Sequence, residues 1–187
     1  MQLLNHIHIL GASGSGTTTL AAALAAKHGH AHLDTDNFYW IPTDPPFLEK
    51  RPIEERLELL REAMQRSTSW VLSGSLAGWG DPLIPKFELV VFLIVPNEVR
   101  MQRLRAREIQ RYQHLANIEF LEWANKYDTA GFEMRSRKLH EAWLKNLQTP
   151  ILRLEGKRPV DDLLAQIDLF SRCESGNRDG REQRIKP

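Results

Sequence analysis

The chain predicts an α/β protein, a parallel sheet held between two layers of helices. Three observations carry this. Short apolar runs near 7–10, 30–33, 70–72, 89–95 and 150–154 alternate with helix-patterned stretches, the rhythm of strand–helix–strand units. The run Leu89-Val90-Val91-Phe92-Leu93-Ile94-Val95 is apolar without interruption, as a central parallel strand covered on both faces must be. A glycine-rich string, Gly11 to Leu20, lies directly between the first strand and an alanine-rich run ending at Lys27, and that context gives such a string meaning.

The string reads Gly11-Ala12-Ser13-Gly14-Ser15-Gly16-Thr17-Thr18-Thr19-Leu20. Glycines at 11, 14 and 16 free the backbone to curl, so its N–H groups can converge on an anion at a helix N-terminus. Gly11, Gly16 and Thr18 fit the Walker A pattern G-x-x-x-x-G-K-[ST], with Thr17 at the lysine position. Gly11 through Thr19 are therefore candidate phosphate-binding residues, and Thr18 is also a candidate Mg²⁺ ligand. The plain alternative is a turn that only joins strand to helix. The missing lysine matters, since a charge-assisted hydrogen bond contributes roughly 1.5–3 kcal/mol.

With 187 residues, 42% of them apolar, the chain suits one domain with a sizeable core. Lys and Arg number 25 against 24 Asp and Glu, so no global charge steers it to nucleic acid or an anionic membrane. The lone cysteine, Cys173, excludes an internal disulfide and a cysteine-built metal site. No signal-peptide pattern opens the chain, and no apolar run reaches spanning length. A cytoplasmic protein is expected, monomeric or weakly homodimeric.

The first strand alternates His6 and His8 with Ile7 and Ile9. The His-x-His pair reads as two polar residues on one strand face rather than a metal site, for lack of a third ligand nearby. His28, His30 and His32 straddle a helix end and a strand start and do not read as one site either. The second strand ends in Asp34-Thr35-Asp36. Ligands of open parallel sheets bind beyond the strands' carboxyl ends, so Asp34 and Asp36 face whatever the glycine loop holds. Both are candidate catalytic carboxylates, and Asp36 a candidate Mg²⁺ ligand. The alternative makes Asp36 a helix cap and Asp34 a turn residue. Phe38, Tyr39 and Trp40 suit a pocket wall or a core.

Ile41 to Pro52, broken by four prolines, predicts a long loop. A helix is expected from about Ile53 to Ser67, with Lys50, Arg51 and Arg56 as a basic edge, either to receive a substrate phosphate or as ordinary solvated charges. The third strand, Trp70-Val71-Leu72, runs into Ser73-Gly74-Ser75 and then Gly78-Trp79-Gly80-Asp81. No acid lies within it, so the second-strand aspartates are favoured over Asp81 for Mg²⁺. Pro96 ends the fourth strand and Asn97 can cap the next helix. Arg100, Arg103, Arg107 and Arg111 share a sector of that helix of roughly 80°. Such a row can stabilise a transferring phosphoryl group; Arg103 and Arg107 are the candidates, and either can reach the vacant lysine site. The bland alternative is a solvated basic helix. Two helices follow, broken near Asp128–Gly131. Then come a fifth strand from Pro150, the loop Glu155-Gly156-Lys157-Arg158-Pro159, and a helix from Val160 to Phe170. The residues from Arg172 on show no period and predict a disordered tail.

From about Gln2 to Phe170 the chain resembles the adenylate kinase-like branch of P-loop kinases, which includes nucleoside monophosphate, shikimate and gluconate kinases. More narrowly, Gly14 to Thr19, Asp34-Thr35-Asp36 with Tyr39-Trp40, and Ser73-Gly74-Ser75 with Gly78 to Asp81 are similar to a bacterial group called adenylate kinase-like. The resemblance implies a three-layer P-loop NTPase fold with sheet order 2-3-1-4-5, spanning 1–171 as one domain. It implies a small helical lid at about 97–131, containing Arg103, Arg107 and Arg111, and an acceptor segment after strand two. It implies that Glu155 to Val160, with Gly156 and Arg158, touches the nucleotide base. Asp34 and Asp36 resemble the acceptor and Mg²⁺ aspartates of the shikimate and gluconate kinases. The implied activity is phosphoryl transfer from Mg²⁺-bound ATP or GTP to a nucleoside monophosphate or a hydroxyl-bearing metabolite. The alternative is a non-catalytic nucleotide-binding module, with Thr17 marking lost chemistry.

Overall fold

The computed structural model describes residues 4–112 and 117–182. Five strands, β1 (His6–Gly11), β2 (Ala31–Asp34), β3 (Trp70–Ser73), β4 (Leu89–Ile94) and β5 (Ile151–Glu155), form one sheet in the order β2-β3-β1-β4-β5. All four pairings are parallel, which agrees with the order the resemblance implied. All carboxyl ends therefore point the same way, and the crevice lies there.

Strand alternation divides the core between the two faces. Ile7, Ile9, Val71, Val91 and Leu93 pack on one side against α1 (Thr17–His28) and α7 (Val160–Glu182), through Leu20, Leu24, Leu163 and Ile167. Leu10, Trp70, Leu72, Val90 and Phe92 pack on the other side. There they meet Leu60 and Met64 of α3 (Ile53–Gln65), and Trp143 and Leu144 of α6 (Arg137–Lys145). β4, at the centre of both clusters, is buried over Leu89–Leu93.

A satellite core of Met101, Leu104 and Ala124 joins α4 (Asn97–Tyr112) to α5 (Ile118–Asn125). Helices thus occupy the span read as a lid, with 113–116 outside the described residues. Two short elements escaped the sequence reading: α2 (Asp36–Tyr39) and a 3₁₀ turn at Asp81–Lys86. The last helix, expected to stop at Phe170, continues to Glu182. A helix nucleated on buried Leu163, Leu164 and Ile167 adds further turns at little cost even without an apolar period; 183–187 lie outside the described residues. Among the described residues no helix is long and apolar enough to cross a membrane.

Candidate active site

β1 ends at Gly11, and the chain turns through Ala12 to Gly16 before α1 begins at Thr17. Gly14 and Gly16 take positive φ values of 78° and 94°, open to glycine at no steric cost. A Cβ at Gly11 would lie 2.6 Å from Ser15 Oγ and 2.8 Å from the Leu93 carbonyl; one at Gly14 would lie 2.8 Å from the Arg100 carbonyl. The loop is therefore squeezed between β4 and α4. Gly16 caps α1 with no side chain, and no acid sits in the first turn, so the helix's first N–H groups have no side-chain acceptor. Ser15 Oγ is buried without a hydrogen-bond partner among the described residues. An inward hydroxyl and uncapped N–H groups at a helix N-terminus fit a phosphate. Thr17 turns its methyl toward Gly11, where it supplies no charge.

The arginine row divides into different tasks. Arg100 is fully buried. It ion-pairs with Asp128 at 2.6 Å, bonds Asn97 Oδ1 at 2.9 Å, and donates to the carbonyls of Val95, Ala124 and Ser13. It is an internal strut from the glycine loop to the α5 end. Arg103 donates to the carbonyls of Ser15 at 3.2 Å, Gly14 at 3.5 Å and Gly156 at 3.3 Å. It ties the glycine loop to the loop after β5, on the carbonyl side of the backbone. Gly156 is buried there, its N–H donating to Ile94, while Arg158 is exposed. Arg107 acts electrostatically on Asp36. Arg111 is exposed near the described end of α4.

The carboxylates also separate. Thr18 Oγ1 donates to Asp34 Oδ2 at 2.8 Å, Ser73 Oγ donates to the same oxygen at 2.9 Å, and the Asp36 N–H donates to Oδ1 at 3.0 Å. The carboxylate against Thr18 is thus Asp34, at the end of β2. Asp36, in the first turn of α2 with Thr35 as the N-cap, is open to solvent at the crevice mouth. Enough protein still surrounds its carboxyl for desolvation to push its pKa up, with the Asp34 charge adding to the rise. Arg135, Arg107 and the Trp40 indole pull the other way. Arg135, just before α6, is a site residue the sequence reading gave no role. It comes late in the chain, and no local pattern ties it to Asp36. Asp81 accepts from the Trp143 indole at 2.8 Å, which gives it a structural task.

Beyond β2, α2 carries Tyr39 under the Arg56 guanidinium, 3.8 Å from ring centre, with Trp79 at 5.8 Å. Arg56 is buried, and its Nε donates to the Arg51 carbonyl. Neither Arg56 nor Arg135 has a carboxylate within ion-pair distance among the described residues. Arg51 instead holds the proline loop, donating to the Phe38 and Trp40 carbonyls and pairing with Glu55.

A family model for an AAA domain matches residues 7–123, from β1 through α4 into α5. An uncharacterized protein, YqaC, of Bacillus subtilis (strain 168) is 46% identical over 171 residues, 87% of this chain and 94% of that protein. A cytidylate kinase of Thermococcus sibiricus is 25% identical over 149 residues, 72% and 76% of the two chains. Among solved structures, shikimate kinase from Acinetobacter baumannii superposes with a TM-score of 0.59 at 20% identity, covering 89% of this chain and 92% of that one. The loop from Gly11 to Thr19 lies within the matched span, and P-loop domains bind nucleotides generally. The chain belongs to the AAA domain family, built on a P-loop fold shaped like that of the small-molecule kinases.

Proposed function

We propose that the protein is a phosphotransferase, moving the terminal phosphoryl group of Mg²⁺-bound ATP or GTP to a small anionic acceptor. The observation that carries this is the Thr18–Asp34 hydrogen bond. It brings the first turn after the phosphate loop against the carboxylate pair that ends β2. A hydroxyl and a carboxylate oxygen are hard donors suited to Mg²⁺, which takes few protein ligands and fills its shell with water and phosphate oxygens. Thr18 and Asp34 would hold the ion, which would supply positive charge against that of the nucleotide phosphates.

The chain's own residues do the rest. The uncapped N–H groups of Gly16 to Thr19 and the Ser15 hydroxyl hold the phosphates. Asp36, with its raised pKa, is matched to hydrogen-bond and then take the proton of an acceptor hydroxyl. As the acceptor oxygen bonds to the terminal phosphorus, that phosphorus parts from the bridging oxygen, which leaves on the nucleoside diphosphate. Arg107 and Arg135, whose charges act on Asp36, would oppose the negative charge that moves in the transfer. Among the described residues Arg56 and Arg135 have no carboxylate within ion-pair distance, and guanidinium groups without a carboxylate favour an anion. That argues for a phosphate- or carboxylate-bearing acceptor, a nucleoside monophosphate or a hydroxy acid.

One observation favours the second reading, a non-catalytic nucleotide-binding module. Thr17 supplies no charge, and Arg103 spends its donors on carbonyls. Calorimetric titration of ATP and GTP, with and without Mg²⁺, separates the two on wild type and Thr17→Lys. Micromolar, Mg²⁺-dependent binding by wild type is expected. Silence in wild type with recovery in Thr17→Lys supports the module instead.

A further inference from the structure

Three consecutive residues beyond or at the end of β3 are each held by a different histidine. His32 Nε2 lies 3.1 Å from Ser73 Oγ, His8 Nε2 lies 2.9 Å from the Gly74 carbonyl, and His140 Nε2 lies 2.8 Å from Ser75 Oγ. These histidines come from β2, β1 and α6. Gly74 adopts φ 100°, and a Cβ there would collide with Thr35, the residue between the two aspartates. The turn after β3 is therefore a fixed back wall for Asp34-Thr35-Asp36. His8 and His140 hold it from inside, both fully buried. His32 holds it from the exposed edge strand.

The polarity of the outer contact follows from donor counting. The Ser73 hydroxyl has one hydrogen. Asp34 Oδ2 at 2.9 Å is a better acceptor for it than the Leu33 carbonyl at 3.4 Å. Ser73 Oγ must then accept from His32, so the imidazole carries its hydrogen on Nε2. The chain of donors runs from His32 to Ser73 to Asp34 Oδ2, the oxygen that also receives Thr18. Ser73 and Asp34 are register partners across the β2–β3 ladder, and His32 and Asp34, two apart on a strand, share a face. The relay is thus fixed by the sheet itself.

We propose that His32 and Ser73 are positioning residues for Asp34, holding Oδ2 toward Thr18 so that the two present oxygens to a divalent cation. This rests on the phosphotransferase reading and adds to it a pair of residues outside the phosphate loop. Outer hydrogen bonds of this kind fix a ligating oxygen's direction, and their removal typically lowers metal affinity roughly 10–100-fold.

The test is calorimetry with a non-hydrolysable ATP analogue, with and without Mg²⁺, on wild type, His32→Phe, His32→Gln and Ser73→Ala, beside thermal unfolding of each. The quantity read is the ratio of affinities with and without Mg²⁺. His32→Phe and Ser73→Ala should cut that ratio about 10-fold, leaving Mg²⁺-free affinity and unfolding temperature near wild type. His32→Gln, which keeps a donor at its tip, should restore it. A wild-type ratio in His32→Phe overturns the proposal, and that variant, at an exposed edge position, does not depend on Ser73→Ala folding. Equal losses with and without Mg²⁺ also overturn it, since they would mark a merely structural role. A wild type in which Mg²⁺ does nothing overturns the phosphotransferase reading itself, seen before any variant is made.

Discussion

Asp34 and Asp36 are two positions apart, yet they sit among different neighbours. Asp34 ends a strand and accepts hydrogen bonds from Thr18, Ser73 and the Asp36 backbone. Asp36 begins a helix and meets desolvation, the Asp34 charge and two arginines. A carboxyl pushed toward its neutral form, as Asp36 is, is suited to exchange a proton, whereas Asp34 is placed to hold Thr18. The two should therefore fail differently. Asp36→Asn should leave nucleotide and Mg²⁺ affinity within about 2-fold of wild type and lower turnover by at least about 100-fold, within the range of general-base contributions. Turnover is read as nucleoside diphosphate released in the presence of candidate anionic acceptors. A variant that loses Mg²⁺-dependent binding as well would return Asp36 to the metal and remove it from proton transfer.

At the scale of elements, the decisive junction is between the glycine loop and α4. Gly14 brings the loop against the Arg100 carbonyl, and the Arg100 side chain turns back to the Ser13 carbonyl and to Asp128. Breaking a buried ion pair from one side costs about 3–5 kcal/mol, but the Asp128 side chain is 34% exposed and water can recover part of that. Arg100→Met should destabilise the protein by about 2–3 kcal/mol and weaken nucleotide binding. Urea unfolding and calorimetry check the two separately; unchanged nucleotide affinity would show that the strut does not shape the loop. The strands and long helices were legible because burial imposes a period on them, as Ile7 and Ile9 or Leu60 and Met64 show. The P-loop was legible because three glycines meet a backbone demand that is local. α2 was not, since four residues cannot display a helical period, and its start is fixed by the Thr35 N–H donating to Ser73 across the sheet. Nor was the arginine row's division. Helical spacing put Arg100 and Arg103 in one sector, but only packing against Asp128 and the glycine loop turned one into a core strut and the other into a tie between loops.

Across the whole molecule, two buried histidines set how the fold responds to acid. His8 lies among Phe87, Trp143 and the Gly74 carbonyl, and burial lowers its pKa to about 4, with the carbonyl bond opposing the fall. His140 bonds Ser75 and Tyr127, and burial lowers its pKa to about 3, with Arg135 and His8 adding to the shift. Both are neutral in the fold, while in the unfolded chain each titrates near 6.5. Below about pH 6.5 the unfolded state takes up protons that the folded state refuses. The stability these histidines contribute is therefore complete above that pH. It falls as pH drops toward 4 for His8 and toward 3 for His140, by up to about 1.4 kcal/mol per pH unit for each. Asp36, whose pKa is raised, works in the opposite sense, so an Asp36→Asn background should steepen the fall. Urea midpoints measured at pH 7, 6 and 5 should decline with little change in slope against denaturant. A flat midpoint over that interval would mean that these imidazoles are hydrated and protonated inside the fold. His8 and His140 grip the same turn after β3 that backs the aspartates, and in the fold they stay neutral until the pH nears 4 and 3. Mg²⁺-dependent nucleotide affinity should therefore hold over the interval in which the urea midpoint declines, which the same samples can show by calorimetry.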